Sequence, residues 1–148
     1  MIPGQLRHEP VEAQSGLRRV LVVDEALPVR RKLAEILSRA GLAPEQVRAA
    51  ASSEEGLEAF TLHRPDVVFT ELCGPDAEAG LGMLAEMLSI DPQTRVVLVT
   101  AEPPDSPAVR AAVRMGVFAV VPKPLRHEKI RQVLGEIESE EGGIERFR

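Results

Sequence analysis

Short apolar runs alternate with amphipathic stretches along most of the chain. Val20-Leu21-Val22-Val23 is continuous and β-branched, the mark of a strand covered on both faces. Pro28 suits the first turn of a helix. Val29, Leu33, Ile36, Leu37 and Ala40 then recur at helical spacing until Gly41 stops the run. Val47 to Ala51 predicts a weaker strand. Ser52-Ser53-Glu54-Glu55 reads as a cap with acids in the first turn, opening a helix through Leu57, Phe60 and His63. Pro65 ends that helix, and Val67-Val68-Phe69 is a third strand with the acid Glu71 at its carboxyl end. After a polar loop from Cys73 to Gly80, Leu81, Leu84 and Leu88 place a stripe on a third helix that Pro92 closes. Arg95 to Thr100 is a fourth strand. A proline-rich loop, Ala101 to Pro107, leads into a short helix carrying Val109, Ala112 and Val113 and ending at Gly116. Val117 to Val121 is the fifth strand, stopped by Pro122-Lys123-Pro124. The last helix shows Ile130, Val133, Leu134 and Ile137 on one face and ends at Gly142-Gly143.

Five strands alternating with five helices make a (βα)5 chain of the α/β class. Such alternation implies a doubly wound parallel five-stranded sheet with helices on both faces. Residues 1–17 mix Pro3, Gly4, Pro10, Ser15 and Gly16 without periodicity and are expected to be a flexible tail. The domain is set at residues 18–141, with a C-terminal tail over 142–148. Composition narrows the function. A net charge of −5 and the lack of Trp and Tyr argue against nucleic acid, which wants a basic face and aromatic platforms. No apolar run reaches the roughly 18 residues of a membrane span, and Met1 to Gly16 has no secretory apolar segment. The single Cys73 fits a reducing compartment. The expectation is a cytoplasmic module without membrane contact.

The candidate chemistry lies where the strands end. Asp24 and Glu25 follow the first strand, Glu71 the third, Thr100 and Ala101 the fourth, and Lys123 the fifth. In open parallel sheets, ligands gather outside these carboxyl ends. Like charges about 4 Å apart repel by roughly 4 kcal/mol at an effective dielectric near 20. Three acids there need a cation, supplied by Lys123, by a divalent metal, or by both. Oxygen ligands in a half-open site suit Mg²⁺.

VLVVDE, PDVVFTEL, VVLVTA and VPKP, in this order and spacing, resemble the receiver domain of two-component response regulators. The resemblance covers about Arg18 to Glu140. It implies a flavodoxin-like fold with strand order 2-1-3-4-5. It also implies that Asp24 and Glu25 are the metal-binding acidic pair for Mg²⁺, with Glu71 beside them. Thr100 corresponds to the hydroxyl that contacts a phosphoryl group, and Lys123 to the lysine that pairs with it.

Three departures qualify the resemblance. The family's phosphoacceptor is Asp, and here that position is Glu71, whose carboxylate reaches about 1.5 Å further. In-line attack tolerates little displacement, since an error of about 1 Å can cost on the order of 100-fold. The aromatic switch position, three before the lysine, is Val120, and Phe118 is out of phase. The loop from Pro75 to Gly80 runs one residue longer than the family pattern. The first expectation is therefore an atypical single-domain response regulator, not an enzyme, acting as a phosphorylation-independent protein-interaction module. In it, Lys123 forms a salt bridge to Glu71. A working phosphoacceptor that uses Glu71 with Mg²⁺ is the second reading. A small-molecule-binding flavodoxin-like module is the third, disfavoured because the loop Asp24 to Pro28 is acidic and lacks glycine.

Partners are expected through the fourth helix, fifth strand and fifth helix, with Arg110, Arg114, Arg126 and Arg131 as candidate contacts. Glu102 adds an acid at the rim, which discourages anionic phosphodonors. His63 and His127 match no relay pattern and are expected to be exposed. Winged-helix receivers dimerise through an acid six residues after the lysine and an arginine ten after it. Here Lys129 and Val133 stand there, which leaves a monomer or weak homodimer.

Overall fold

The computed structural model describes residues 19–72 and 77–142. Of the expected tails, residues 1–17 and 143–148 lie outside the described residues, as does the segment 73–76 with Cys73. Five strands, β1 (Val20–Val23), β2 (Val47–Ala50), β3 (Val67–Thr70), β4 (Arg95–Thr100) and β5 (Ala119–Pro122), form one sheet. Its order is β2-β1-β3-β4-β5, every pairing is parallel, and both agree with the expected flavodoxin-like topology. The helices are α1 (Leu27–Arg39), α2 (Ser53–His63), α3 (Glu78–Ile90), α4 (Pro107–Met115) and α5 (His127–Gly142). No helix among the described residues is long and apolar enough to cross a membrane.

The continuous apolar strands are explained by a core on each side of the sheet. Val20 and Val22 of β1, Phe69 of β3 and Val97 of β4 face Leu33, Ile36 and Leu37 of α1 and Ile130 and Ile137 of α5. Leu21, Val68, Val96 and Leu98 point the other way, against Phe60 of α2, Leu84 and Met87 of α3, and Val109 of α4. Alternation along β1, β3 and β4 thus feeds two cores, and neither face of these strands meets solvent.

Local signals set the helix ends. Ser52 Oγ accepts from Glu55 N at 3.1 Å and Ser106 Oγ from Val109 N at 3.3 Å, each answering an N–H that the first turn leaves unpaired. At the end of α2, Arg64 turns left-handed with φ 54°, and Pro65 prevents continuation. Gly56 brings α2 close to the sheet: a Cβ there would lie 2.9 Å from Met83 Sδ and 3.1 Å from Val23 Cγ2.

Several expectations shift by a turn. The buried face of α3 is Gly80, Met83, Leu84 and Met87, while Leu81 and Leu88 are only partly buried. Methionine is flexible enough to fill the irregular space against α2. Val113 is 52% exposed, so α4 buries Val109 and Ala112 alone. β5 begins at Ala119, two residues later than its apolar run. A 3₁₀ turn, Pro44–Gln46, precedes β2.

His63 overturns the expectation of an exposed histidine, being only 8% exposed. It stands in the last turn of α2, where the helix returns its inner face to the sheet. Its Nε2 has no hydrogen-bond partner among the described residues. Burial is the main reason its pKa is lowered, and Arg48 and Arg19 push the same way against the backbone of Gln46 and Val20. His127 is partly exposed.

Candidate functional site

Parallel register brings the strand ends together. Val23 lies beside Thr70, Thr70 beside Leu98, and Thr100 beside Pro122. The residues that follow these positions therefore share one edge. The backbone extends the sheet pattern there: Asp24 N donates to Ala50 O at 3.1 Å, Glu71 N to Val23 O at 3.0 Å, and Lys123 N to Thr100 O at 3.0 Å.

Asp24 is 3% exposed and both its carboxylate oxygens are engaged. Oδ1 accepts from Ala26 N at 2.9 Å, which turns the chain into α1, and Oδ2 accepts from Lys123 Nζ at 2.9 Å. From the first turn of α1, Arg30 Nη1 donates to the Asp24 carbonyl at 2.6 Å. Glu71 divides its carboxylate similarly. Oε1 accepts from Leu72 N at 2.8 Å, and Oε2 lies 3.3 Å from Lys123 Nζ. Thr70 Oγ1 donates to the Glu71 carbonyl at 2.7 Å. The salt bridge expected between Glu71 and Lys123 is present, and Asp24 adds a shorter second one.

Lys123 thus stands between two acids on neighbouring strands, its side chain 20% exposed. Burial pulls the ammonium pKa down and is the largest single influence, but Asp24 and Glu71 together outweigh it, so the group is held above the ordinary lysine value. Thr100 is buried, and its Oγ1 accepts from Glu102 N at 3.0 Å. Glu25 is exposed and lines the cleft over these groups. That cleft has a volume of about 650 Å³ and is bounded by Glu102, Ser106 and Ala108 on the β4–α4 side.

A match to the response regulator receiver domain covers residues 20–135. The chain belongs to that family. Among its relatives, Protein CcdB of Bacillus subtilis is 30% identical over 123 residues, spanning 82% of this chain and 98% of that one. A receiver domain protein from Clostridium thermocellum superposes with a TM-score of 0.73 at 26% identity, covering 85% of this chain and 98% of the other. CheY from Borrelia burgdorferi, solved with CheX, BeF₃ and Mg²⁺, superposes with a TM-score of 0.71 at 23% identity, covering 80% and 87%. Chains of this family are receivers of two-component signalling, and this one shares their sheet and its order.

Of the residues expected to hold a divalent metal, Asp24 and Glu71 are both drawn to one ammonium. Among the described residues, no three carboxylate, imidazole or thiol groups are placed to hold a metal ion. Asp24 and Glu71 converge on Lys123 Nζ, and Glu25 lies exposed at the rim of the same cleft. The place between the first two acids is filled by an ammonium.

The switch region also differs from an aromatic one. Val120 is partly buried against the α2–α3–α4 core. Phe118 precedes β5 and packs on the opposite core, with its ring 6.0 Å from the Arg95 guanidinium. It presents no ring behind Thr100.

One contact and one participant escaped sequence reasoning. Asp24 was expected as a metal ligand, and its contact with Lys123 spans 99 positions, beyond any local pattern. Arg30 had a faint signal: a cation in the first helical turn opposes the macrodipole, so its presence there asks for a specific partner.

Proposed function

We propose that this receiver is a protein-interaction module of a signalling pathway whose site works without phosphorylation. The observation that carries the reading is the carboxylate of Glu71, held at Oε1 by Leu72 N and at Oε2 by Lys123. A nucleophile must bring a free oxygen in line with phosphorus, and glutamate reaches about 1.5 Å beyond aspartate. The carboxylate beside Lys123 is built into the chain. It mimics a phosphoryl group only partly, carrying −1 where phosphate carries about −1.5 to −2.

The output is carried by a protein partner on the face of α4, β5 and α5. Arg110, Arg114, Arg126 and Arg131 are all exposed there. Val113 and Met115 add apolar area, 52% and 38% exposed. Cations around an apolar patch suit an acidic partner with an apolar anchor. The Borrelia CheY is likewise bound to a protein, CheX.

Intact mass after incubation with acetyl phosphate and Mg²⁺ tests the proposal. The parent chain is expected to keep its mass. Gain of one phosphoryl group by the parent would establish the working-phosphoacceptor reading instead. Glu71→Asp serves as the control that restores the shorter acid.

A further inference from the structure

We infer that this receiver carries its site cation within the chain: the Lys123 ammonium takes the place of a divalent ion, and the site excludes Mg²⁺. The inference deepens the proposed reading of the same site and rests on it.

The argument starts from where four carboxylate oxygens are spent. Asp24 Oδ2 and Glu71 Oε2 both face Lys123 Nζ, at 2.9 and 3.3 Å. The other oxygen of each acid is taken by a backbone N–H, Ala26 N on Asp24 and Leu72 N on Glu71. Mg²⁺ demands near-octahedral oxygen ligands at about 2.0–2.1 Å and gives up its water reluctantly. To enter, it must take the two oxygens that now bind the ammonium and leave Lys123 beside a double positive charge.

Among the described residues, no other anion is paired with Lys123. Lys123 is tied at its own backbone to Thr100 O at 3.0 Å. Glu25, the further acid of the β1 turn, lines the same cleft but is exposed, so water already solvates it and the two inner oxygens remain the ones an ion must win from the ammonium. The extra methylene of Glu71 is what lets one side chain fold Oε1 onto Leu72 N and still reach the ammonium with Oε2. An aspartate at this position would have a shorter reach for both contacts at once. The Lys123 ammonium thus supplies the positive charge that the converging Asp24 and Glu71 carboxylates would otherwise draw from a metal.

The test is magnesium binding itself, measured on the full chain by calorimetry, with Mn²⁺ relaxation of the Asp24 and Leu72 amides to place the ion. The parent, Lys123→Met and Glu71→Asp are compared without any phosphodonor. Lys123→Met removes the competing cation and is expected to bind Mg²⁺ at least about tenfold more tightly than the parent, or ~1.4 kcal/mol. Glu71→Asp is expected to gain as well, but less, because Lys123 remains. Parent binding equal to that of Lys123→Met, with relaxation centred on Asp24, overturns the inference. Should Lys123→Met fail to fold, the other variant decides, and parity between Glu71→Asp and the parent overturns it. A parent that binds Mg²⁺ as tightly as Lys123→Met yet takes no phosphoryl group defeats this inference alone, whereas phosphorylation of the parent defeats the preceding reading.

Discussion

The two ends of the sheet are each tied by an ion pair between distant segments, but the pairs do different work. At the carboxyl end, one ammonium serves two acids: Asp24, whose side chain is 5% exposed, and Glu71, which is 21% exposed. At the amino end, Arg95 of β4 meets Glu140 of α5. Its Nε and Nη2 both lie 2.6 Å from Oε1, and the guanidinium also donates to Gln93 O. Glu140 is 26% exposed, so water can solvate it if the arginine leaves. Asp24 has no such recourse. The difference shows which end stores electrostatic conflict: the amino end closes a helix onto the sheet, while the carboxyl end holds two acids together that would otherwise repel.

Removing each cation breaks the comparison most directly. Lys123→Met should cost about 3 kcal/mol in urea unfolding with chelator present, because it strands a buried carboxylate next to a second one. A loss below that of the amino-end variant would reverse the ranking of the two ends. Arg95→Ala should cost only about 1 kcal/mol, the scale of a partly solvated pair. Its effect should be local, with faster hydrogen exchange near the end of α5 and unchanged exchange around Asp24.

The two ends should also fail in opposite pH directions. Lys123 has a folded pKa above its unfolded value. The stability it contributes is therefore full below the unfolded value and is lost as pH rises through the folded one. Denaturation followed into the alkaline range should show this loss in the parent and not in Lys123→Met. Arg95 stays charged throughout and adds nothing there. On the acid side His63 acts, with its pKa lowered chiefly by burial. The unfolded state binds its proton first, so stability is full above the ordinary histidine value of 6.5 and falls as pH drops through it. His63→Gln should flatten that limb, the smallest of these effects. An unchanged acid limb would mean that His63 already has a proton partner.

Much of the architecture was legible because its signals are local. Continuous β-branched runs marked β1, β3 and β4, and Ser52, Pro65 and Gly116 marked turns at or near their observed places. The stripe on α3 misled because leucine outranks methionine in any hydrophobicity reading, yet Met83 fits the space that Gly56 leaves against β1, and Met87 is buried on the same helix. Val113 misled for the converse reason: a helix as short as α4 touches the sheet along one narrow line, and the next apolar residue falls off it. Strand order 2-1-3-4-5 came with the family resemblance, since periodicity implies only a parallel sheet.

By itself, the sequence determined that strands and helices alternate, that the continuous apolar strands β1, β3 and β4 are covered on both faces, and that acids, a hydroxyl and a lysine collect at one sheet edge. Those properties follow from residue spacing and from terminators a few positions away. Only the tertiary structure decided that Lys123 is shared by Asp24 and Glu71, that Glu71 spends one oxygen on its own neighbour, and that His63 is inside. Contacts of that kind depend on register across the sheet and on which third group arrives first. A chain read one residue at a time carries no record of either.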